Sequence, residues 1–224
     1  MAEDVAKFYS FGIKAENGIS LLIEFNDMKL LFDVGQSDLF LKNAKIMGIS
    51  LDNIDSLVLS HGHYDHSGGL PALMENTSFQ GLPLIAHPNV FEEKVGKDGV
   101  DIGCPVSRES AGGFFNVELT KEPFEIADDV IFTGEIPTNF EDPLNDGHRY
   151  ENGKLKPDYL VDEGALVFNT SKGLVVVTGC SHPGIVNVVR YARQLFDTPK
   201  IFSVVGGFHL INEGAKRTNN VIEE

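Results

Sequence analysis

Cysteine, positive charge and long apolar runs are all scarce in this chain. Only two of its 224 residues are cysteine, Cys104 and Cys180. Two cannot form the disulfide framework of a small secreted domain, and a chain of this length does not need one. No apolar run approaches the ~20 residues that a membrane helix requires. The opening residues, MAEDVAKFYS, carry charges of both signs and no apolar secretory segment. A soluble, cytoplasmic protein is therefore the expectation. Lysine and arginine number 18 against 33 acidic residues, a formal charge of −15. Such a surface repels phosphate backbones, and no basic stripe interrupts it, so nucleic acid is not an expected partner unless a bound metal supplies positive charge locally. Heptads, internal repeats and low-complexity tracts are also missing. Hydrophobic content of 42% is enough for a sizeable core. The expectation is one domain over 1–224, with a small molecule as its partner and room for a homo-oligomer.

Apolar patterning predicts a layered α/β protein. Residues 19–35 read as two strands with a turn at Asn26-Asp27, followed by a helix from Ser37 to Met47 with Ser37 as its cap. Residues 54–60 and 82–87 read as short buried strands, with a helix between them that tolerates Pro71 in its first turn. Residues 88–130 are Gly-rich and irregular, with strands only near 115–119 and 129–133, and 137–157 reads as a long loop of the kind that forms lids and pocket walls. Two strands around a Ser-Lys-Gly turn (165–179), a helix from Pro183 and a strand over 200–209 complete the pattern.

A theme recurs: an apolar strand ends, a glycine appears nearby, and histidine sits in the turn. It holds for His61 and His63, for His182 and for His209. In open α/β sheets ligands bind beyond the carboxyl ends of the strands, so these imidazoles can converge. Residues 57–70, LVLSHGHYDHSGGL, concentrate three of the seven histidines, with Asp65, into six positions. Imidazole and carboxylate together suit zinc, and also iron or manganese. Two divalent ions ~3.5–4 Å apart could share a bridging hydroxide, a nucleophile at neutral pH. Gly68 and Gly69 would let the backbone pass close to the metals. His87 ends a strand without glycine neighbours and reads as structural or as a support behind the ligands, and His148 reads as part of a solvated loop.

The stretch SHGHYDHSGGL resembles the signature of the metallo-β-lactamase superfamily, His-x-His-x-Asp-His followed by small residues. LLFDVG resembles its upstream aspartate motif, which would make Asp33 an organiser of the site. VVVTGCSHPGIVNVV and VVGGFHLI are similar to the branch that includes archaeal dihydropterin ribofuranosylaminobenzene-phosphate synthases. The resemblance implies a four-layer αββα sandwich of two mixed β-sheets with metals at one edge. It implies His61, His63 and His182 as ligands of one metal, and Asp65, His66 and His209 as candidates for the other. Where most of the superfamily has a bridging aspartate after a strand and glycine, this chain reads Gly179-Cys180. Cys180 is then either a thiolate ligand or a small buried residue, and the bridging group stays open.

Three functions compete at this level. The first is a metal-dependent hydrolase with a bridging hydroxide that attacks a small ester or phosphoester, Asp65 orienting that hydroxide as well as binding metal. The second is a synthase-like transferase that condenses a pterin with a ribofuranosylaminobenzene phosphate, with Arg108 and Arg149 as weak candidates for holding phosphate. The third is a non-catalytic metal- or ligand-binding sensor. The redox branch usually carries glutamate in place of the second histidine of the cluster, and His63 argues against it. The final residues, EGAKRTNNVIEE, start like a helix with no closing glycine or following strand. The expectation is a domain lacking its C-terminal end, with an incomplete second metal site and mobile residues after about 212.

Overall fold

The structure is a computed structural model that describes residues 12–210 except 152 and 199, together with 218, 219 and 221. The chain first forms a hairpin, β1 (Leu21–Phe25) and β2 (Met28–Phe32), turning at Asn26 in the left-handed region. Helix α1 (Leu39–Met47) follows, with Asp38 and not the expected Ser37 at its N-cap, although Ser37 Oγ accepts the Leu39 N–H at 3.2 Å. Strand β3 (Ser56–Val58), two short helices α2 (Tyr64–Ser67) and α3 (Leu70–Met74), and strand β4 (Pro83–Ala86) come next. Then follow β5 (Lys94–Val95), α4 (Arg108–Phe114), β6 (Asn116–Leu119), β7 (Phe124–Ala127) and β8 (Val130–Phe132). The hairpin β9 (His148–Glu151) and β10 (Lys154–Pro157) precedes β11 (Ala165–Thr170), β12 (Gly173–Thr178), α5 (Ile185–Leu195) and β13 (Ile201–Val205).

Two five-stranded sheets carry the architecture, ordered β1-β2-β3-β4-β6 and β13-β12-β11-β8-β7. Both are mixed: β2, β3, β4 and β6 run parallel, as do β12 and β13, and the remaining pairs are antiparallel. The alternation of side chains along a strand builds the layers. Leu30 and Phe32 of β2 meet Val130, Phe132, Leu166 and Phe168 between the sheets, whereas Leu31 points the other way, into a core with Phe40, Leu70 and Leu73 of the helices. On the far side Val167 and Val176 pack against Ile185, Val188 and Ala192, one face of α5. Three apolar layers thus separate helix, sheet, sheet and helix. Each fully buried Leu or Phe contributes about 1.5–3 kcal/mol through burial.

Three segments differ from the sequence reading. Residues 88–130 also hold α4, capped by Ser107 Oγ on the Ser110 N–H at 3.1 Å, and strand β7; Gly112 and Gly113 masked that helix. The expected long loop contains β9 and β10, which form a three-stranded sheet with β5. The sequence between them is Asn-Gly, the pair favoured in two-residue hairpins. His148 therefore lies in a strand, paired with Pro157 and Val95. Gly68 and Gly69 adopt right-handed helical angles, and a Cβ on either would lie within 2.3 Å of the carbonyl of Gln36 or Val34. Their small size lets the short helices α2 and α3 sit on residues 34–36, a contact the sequence reading did not anticipate. The expected terminal helix falls largely outside the described residues. Among the described residues no helix is long and apolar enough to cross a membrane.

Candidate metal centre

The parallel strands bring their carboxyl ends to one edge. Asp33 follows β2, His61 and His63 follow β3, Cys180 and His182 follow β12, and His209 follows β13. His61, His63, His66 and His182 are each at most 5% exposed. The rings of His61 and His63 lie 4.8 Å apart, those of His61 and His182 5.0 Å, and those of His63 and His182 5.1 Å. Gly179 makes this approach feasible, because a Cβ there would stand 2.3 Å from Ser60 Oγ and 3.2 Å from His61 Nδ1.

Hydrogen bonds behind the rings decide which nitrogen faces forward. Ser60 Oγ donates its one proton to Asp33 Oδ2 at 2.7 Å, so at 2.8 Å it can only accept from His61 Nδ1. His66 Nδ1 donates to Asp33 Oδ2 and His182 Nδ1 to Glu163 Oε2, both at 2.7 Å. In all three rings Nδ1 is the donor, which leaves Nε2 as the atom for a ligand; His66 Nε2 faces Cys180 Sγ at 3.1 Å and His182 Nε2 faces Asp146 Oδ2 at 3.6 Å. The Nε2 atoms of His61 and His63 are buried with no hydrogen-bond partner. An unpaired buried nitrogen costs about 1–3 kcal/mol, and an ion is a partner that would offset that cost. The donor set therefore fits divalent metal.

The donors form three overlapping groups, each within 4.8 Å: His61–His63–His182, His61–His66–Cys180 and Asp146–His182–His209. The first unites three residues expected to share one ion. Cys180 stands with His66, its Sγ 3.1 Å from Nε2. Asp65 belongs to none of the groups; its Oδ2 is 3.8 Å from His66 Nε2 and its side chain is 22% exposed. It lines a pocket of about 450 Å³ above the cluster, together with Tyr64, Lys97, Asp146 and His209. Asp33, fully buried, accepts from the backbone N–H of Ser60 as well as from its hydroxyl and from His66. Arg108 is exposed at the start of α4, and Arg149 pairs with Glu92 at 3.0 Å; neither lines the pocket. Cys104 and Cys180 are both free thiols.

Burial, with the neighbouring imidazoles, lowers the pKa values of His61 and His63 well below the ordinary histidine value, so both are neutral. Burial also opposes charge on His182, but Glu163 and Asp146 outweigh it and push the ring up to about 10. The His182 contact in turn holds Asp146 down at about 2. His66 is driven down by burial and, more strongly, up by Cys180 and Asp33.

Four groups escaped the sequence reading: Asp146, Asp162, Glu163 and Lys94. Asp162 accepts the Gly62 N–H at 2.9 Å, between the two leading histidines, and also takes the Lys94 ammonium at 2.8 Å; Asp158 takes that ammonium at 3.0 Å. Lys94 is fully buried, and Asp158 and Asp162 are each 1% exposed. The one sequence signal was the acidic pair Asp162-Glu163 directly before an apolar strand. His87 Nδ1 accepts the Asn89 N–H at 3.1 Å, and its Nε2 is buried without a hydrogen-bond partner, 3.5 Å from Glu135 Oε2.

Residues 15–193 match the family model described as the metallo-beta-lactamase superfamily. The chain is 32% identical, over its whole length and 80% of the relative's, to the 7,8-dihydropterin-6-methyl-4-(beta-D-ribofuranosyl)-aminobenzene-5'-phosphate synthase of Methanocaldococcus jannaschii. It is 34% identical, over 93% of its length and 78% of the relative's, to an uncharacterized protein of the same organism. Among solved structures it is similar to a metal-dependent hydrolase of the beta-lactamase superfamily, at 32% identity and a TM-score of 0.81, covering 95% of this chain and 77% of that one.

Proposed function

The chain belongs to the metallo-beta-lactamase superfamily, and on that premise we propose that it is a metal-dependent hydrolase of small ester- or phosphoester-type molecules. The observation that carries the reading is the pair of buried, unpartnered Nε2 atoms on His61 and His63, grouped with His182, where His63 and His182 line a pocket and His61 lies behind them. His61, His63, His66 and His182, with Cys180, supply the donors for divalent ions, zinc being the best match to imidazole and thiolate together. Such ions, when bound, supply Lewis acidity toward the scissile group and lower the pKa of water.

The chain's own residues do the rest. Asp33 and Glu163 hold the imidazoles in one tautomer and raise their basicity as ligands. Asp162 ties the backbone between His61 and His63 to the buried Lys94. The Asp65 carboxylate, on the pocket wall, orients the attacking water and receives its proton at a carboxylate oxygen. The water oxygen bonds to the acyl or phosphoryl centre, the bond to the leaving oxygen breaks, and Asp65 returns the proton to the departing alcohol.

A second reading is a synthase-like condensation of a pterin with a ribofuranosylaminobenzene phosphate. It is favoured by the 32% identity to the named synthase across the entire chain. One experiment separates the two: zinc-loaded protein is offered a panel of phosphoesters, thioesters and lactones, and in parallel the two synthase-type reactants. Zinc-dependent cleavage within the panel supports the hydrolase. Condensation without cleavage supports the synthase, and zinc binding with neither reaction supports a sensor.

A further inference from the structure

His182 lies between two carboxylates that stand at different distances. Glu163 takes its Nδ1–H at 2.7 Å, an ordinary charge-assisted bond. On the other side Asp146 Oδ2 is 3.6 Å from His182 Nε2 and 4.0 Å from His209 Nε2. These separations are too long for hydrogen bonds. They approach the spacing of neighbouring donors around one ion, since tetrahedral ligands ~2.1 Å from zinc stand ~3.4 Å from each other.

The backbone that carries Asp146 is held by bonds that do not involve the Asp146 side chain. The segment that bears it is fastened by its own bonds: Leu144 N donates to His182 O at 2.8 Å, Asp146 N to Asp158 O at 3.2 Å, and Asn145 Nδ2 to Asp158 O at 3.0 Å. Upstream, Glu141 accepts the Val186 N–H at 2.8 Å and Phe140 N donates to Asn187 Oδ1 at 2.9 Å. The Asp146 side chain is 41% exposed, so its oxygens stay accessible from the pocket. His63, 5% exposed and unpartnered at Nε2, adds an unused donor against His182.

Each forward-facing imidazole has one Nε2 lone pair and can give it to one ion. The three donor groups share His61 and His182, and only two of them have no member in common: His61–His66–Cys180 and Asp146–His182–His209. We propose that Asp146 is a metal-binding carboxylate that joins His182 and His209 around an ion at the mouth of the pocket. The proposal rests on the metal-dependent reading and changes its ligand set, bringing in a residue from the 137–157 segment that also walls the substrate pocket.

The test is zinc binding to metal-stripped protein, measured by competition with a chromophoric chelator, for the wild type, Asp146→Asn and Asp98→Asn. Asp98 is a pocket-lining carboxylate outside all three groups and controls for loss of charge. Asp146→Asn should lose at least ~10-fold in affinity for one ion, with Asp98→Asn unchanged. Wild-type affinity in Asp146→Asn, or tighter binding because the residue was only a counter-ion, would overturn the proposal, as would equal losses in both variants. A wild-type protein that takes up no zinc overturns the metal-dependent reading itself, a separate outcome.

Discussion

Glu163 grips His182 twice, through the backbone N–H at 2.8 Å and the ring Nδ1 at 2.7 Å, both on Oε2, while Oε1 takes the N–H of Ser181. Every bond on this buried carboxylate is one it accepts. A neutral amide of the same shape would have to aim an NH₂ at a donor.

Glu163→Gln is therefore expected to keep the fold at a cost of about 1–3 kcal/mol, and to weaken zinc binding by about 10–100-fold. Chelator competition beside thermal unfolding checks both. Unchanged zinc affinity in the folded variant would remove Glu163 from the account.

Metal uptake should release protons. His182, held up at about 10 by Glu163 and Asp146 against the pull of burial, is charged in the metal-free protein at pH 7.5. Its raised value stabilises that form below the ordinary 6.5, and the contribution is lost as pH rises through about 10. An incoming ion must displace this proton, so affinity falls as pH falls. Calorimetry in two buffers of different ionisation heat should show about one proton or more released per protein, and none released would contradict the assignment.

The Lys94–Asp162 pair should set the acid limit of the metal-free fold. Burial alone would raise the Asp162 carboxyl, but Lys94 and the Gly62 N–H outweigh it and hold it below its ordinary value of 3.8. The sign follows: this stability is present above 3.8 and is lost as pH falls through the lower folded value. Asp162→Asn should cost about 3 kcal/mol or more at pH 7, as expected for breaking a buried pair. The gap to wild type should shrink below pH 3.8. Urea unfolding across pH reads both, and a gap constant with pH would refute the linkage.

Much of this was legible in the sequence because its signals are local. LLIEF and MKLLF flank a two-residue turn, and the histidine-rich run after β3 packs four candidate donors into six positions. Asp33 was reached through the motif that carries it, and the bond to His66 gives its role a physical basis. Lys94, Asp146 and Glu163 were not legible in the same way. A single carboxylate or ammonium in a loop has no periodicity, and its partner lies 19 to 68 residues away in sequence. Lys94 comes from β5 of the small three-stranded sheet and meets Asp158 and Asp162 only in the folded chain. The hairpin β9–β10 went unread for a different reason: its four-residue strands offer only one large apolar residue each, Tyr150 and Leu155, too few for alternation to show.

Specific nucleic-acid binding is not expected, given a charge of −15. Salt-sensitive, sub-micromolar retention of RNA or DNA in filter binding would contradict the reading of the surface.

The central claim is that the buried imidazoles form a metal site on which turnover depends, and His61 is its most enclosed member, at 0% exposure. The most direct measurement is metal content by mass spectrometry on wild type and His61→Ala, with hydrolysis assayed on the same samples and folding checked by circular dichroism. The account predicts bound divalent metal and metal-dependent turnover in the wild type, and a folded His61→Ala that has lost metal and all measurable turnover. A folded His61→Ala that retains its metal and its turnover would contradict it.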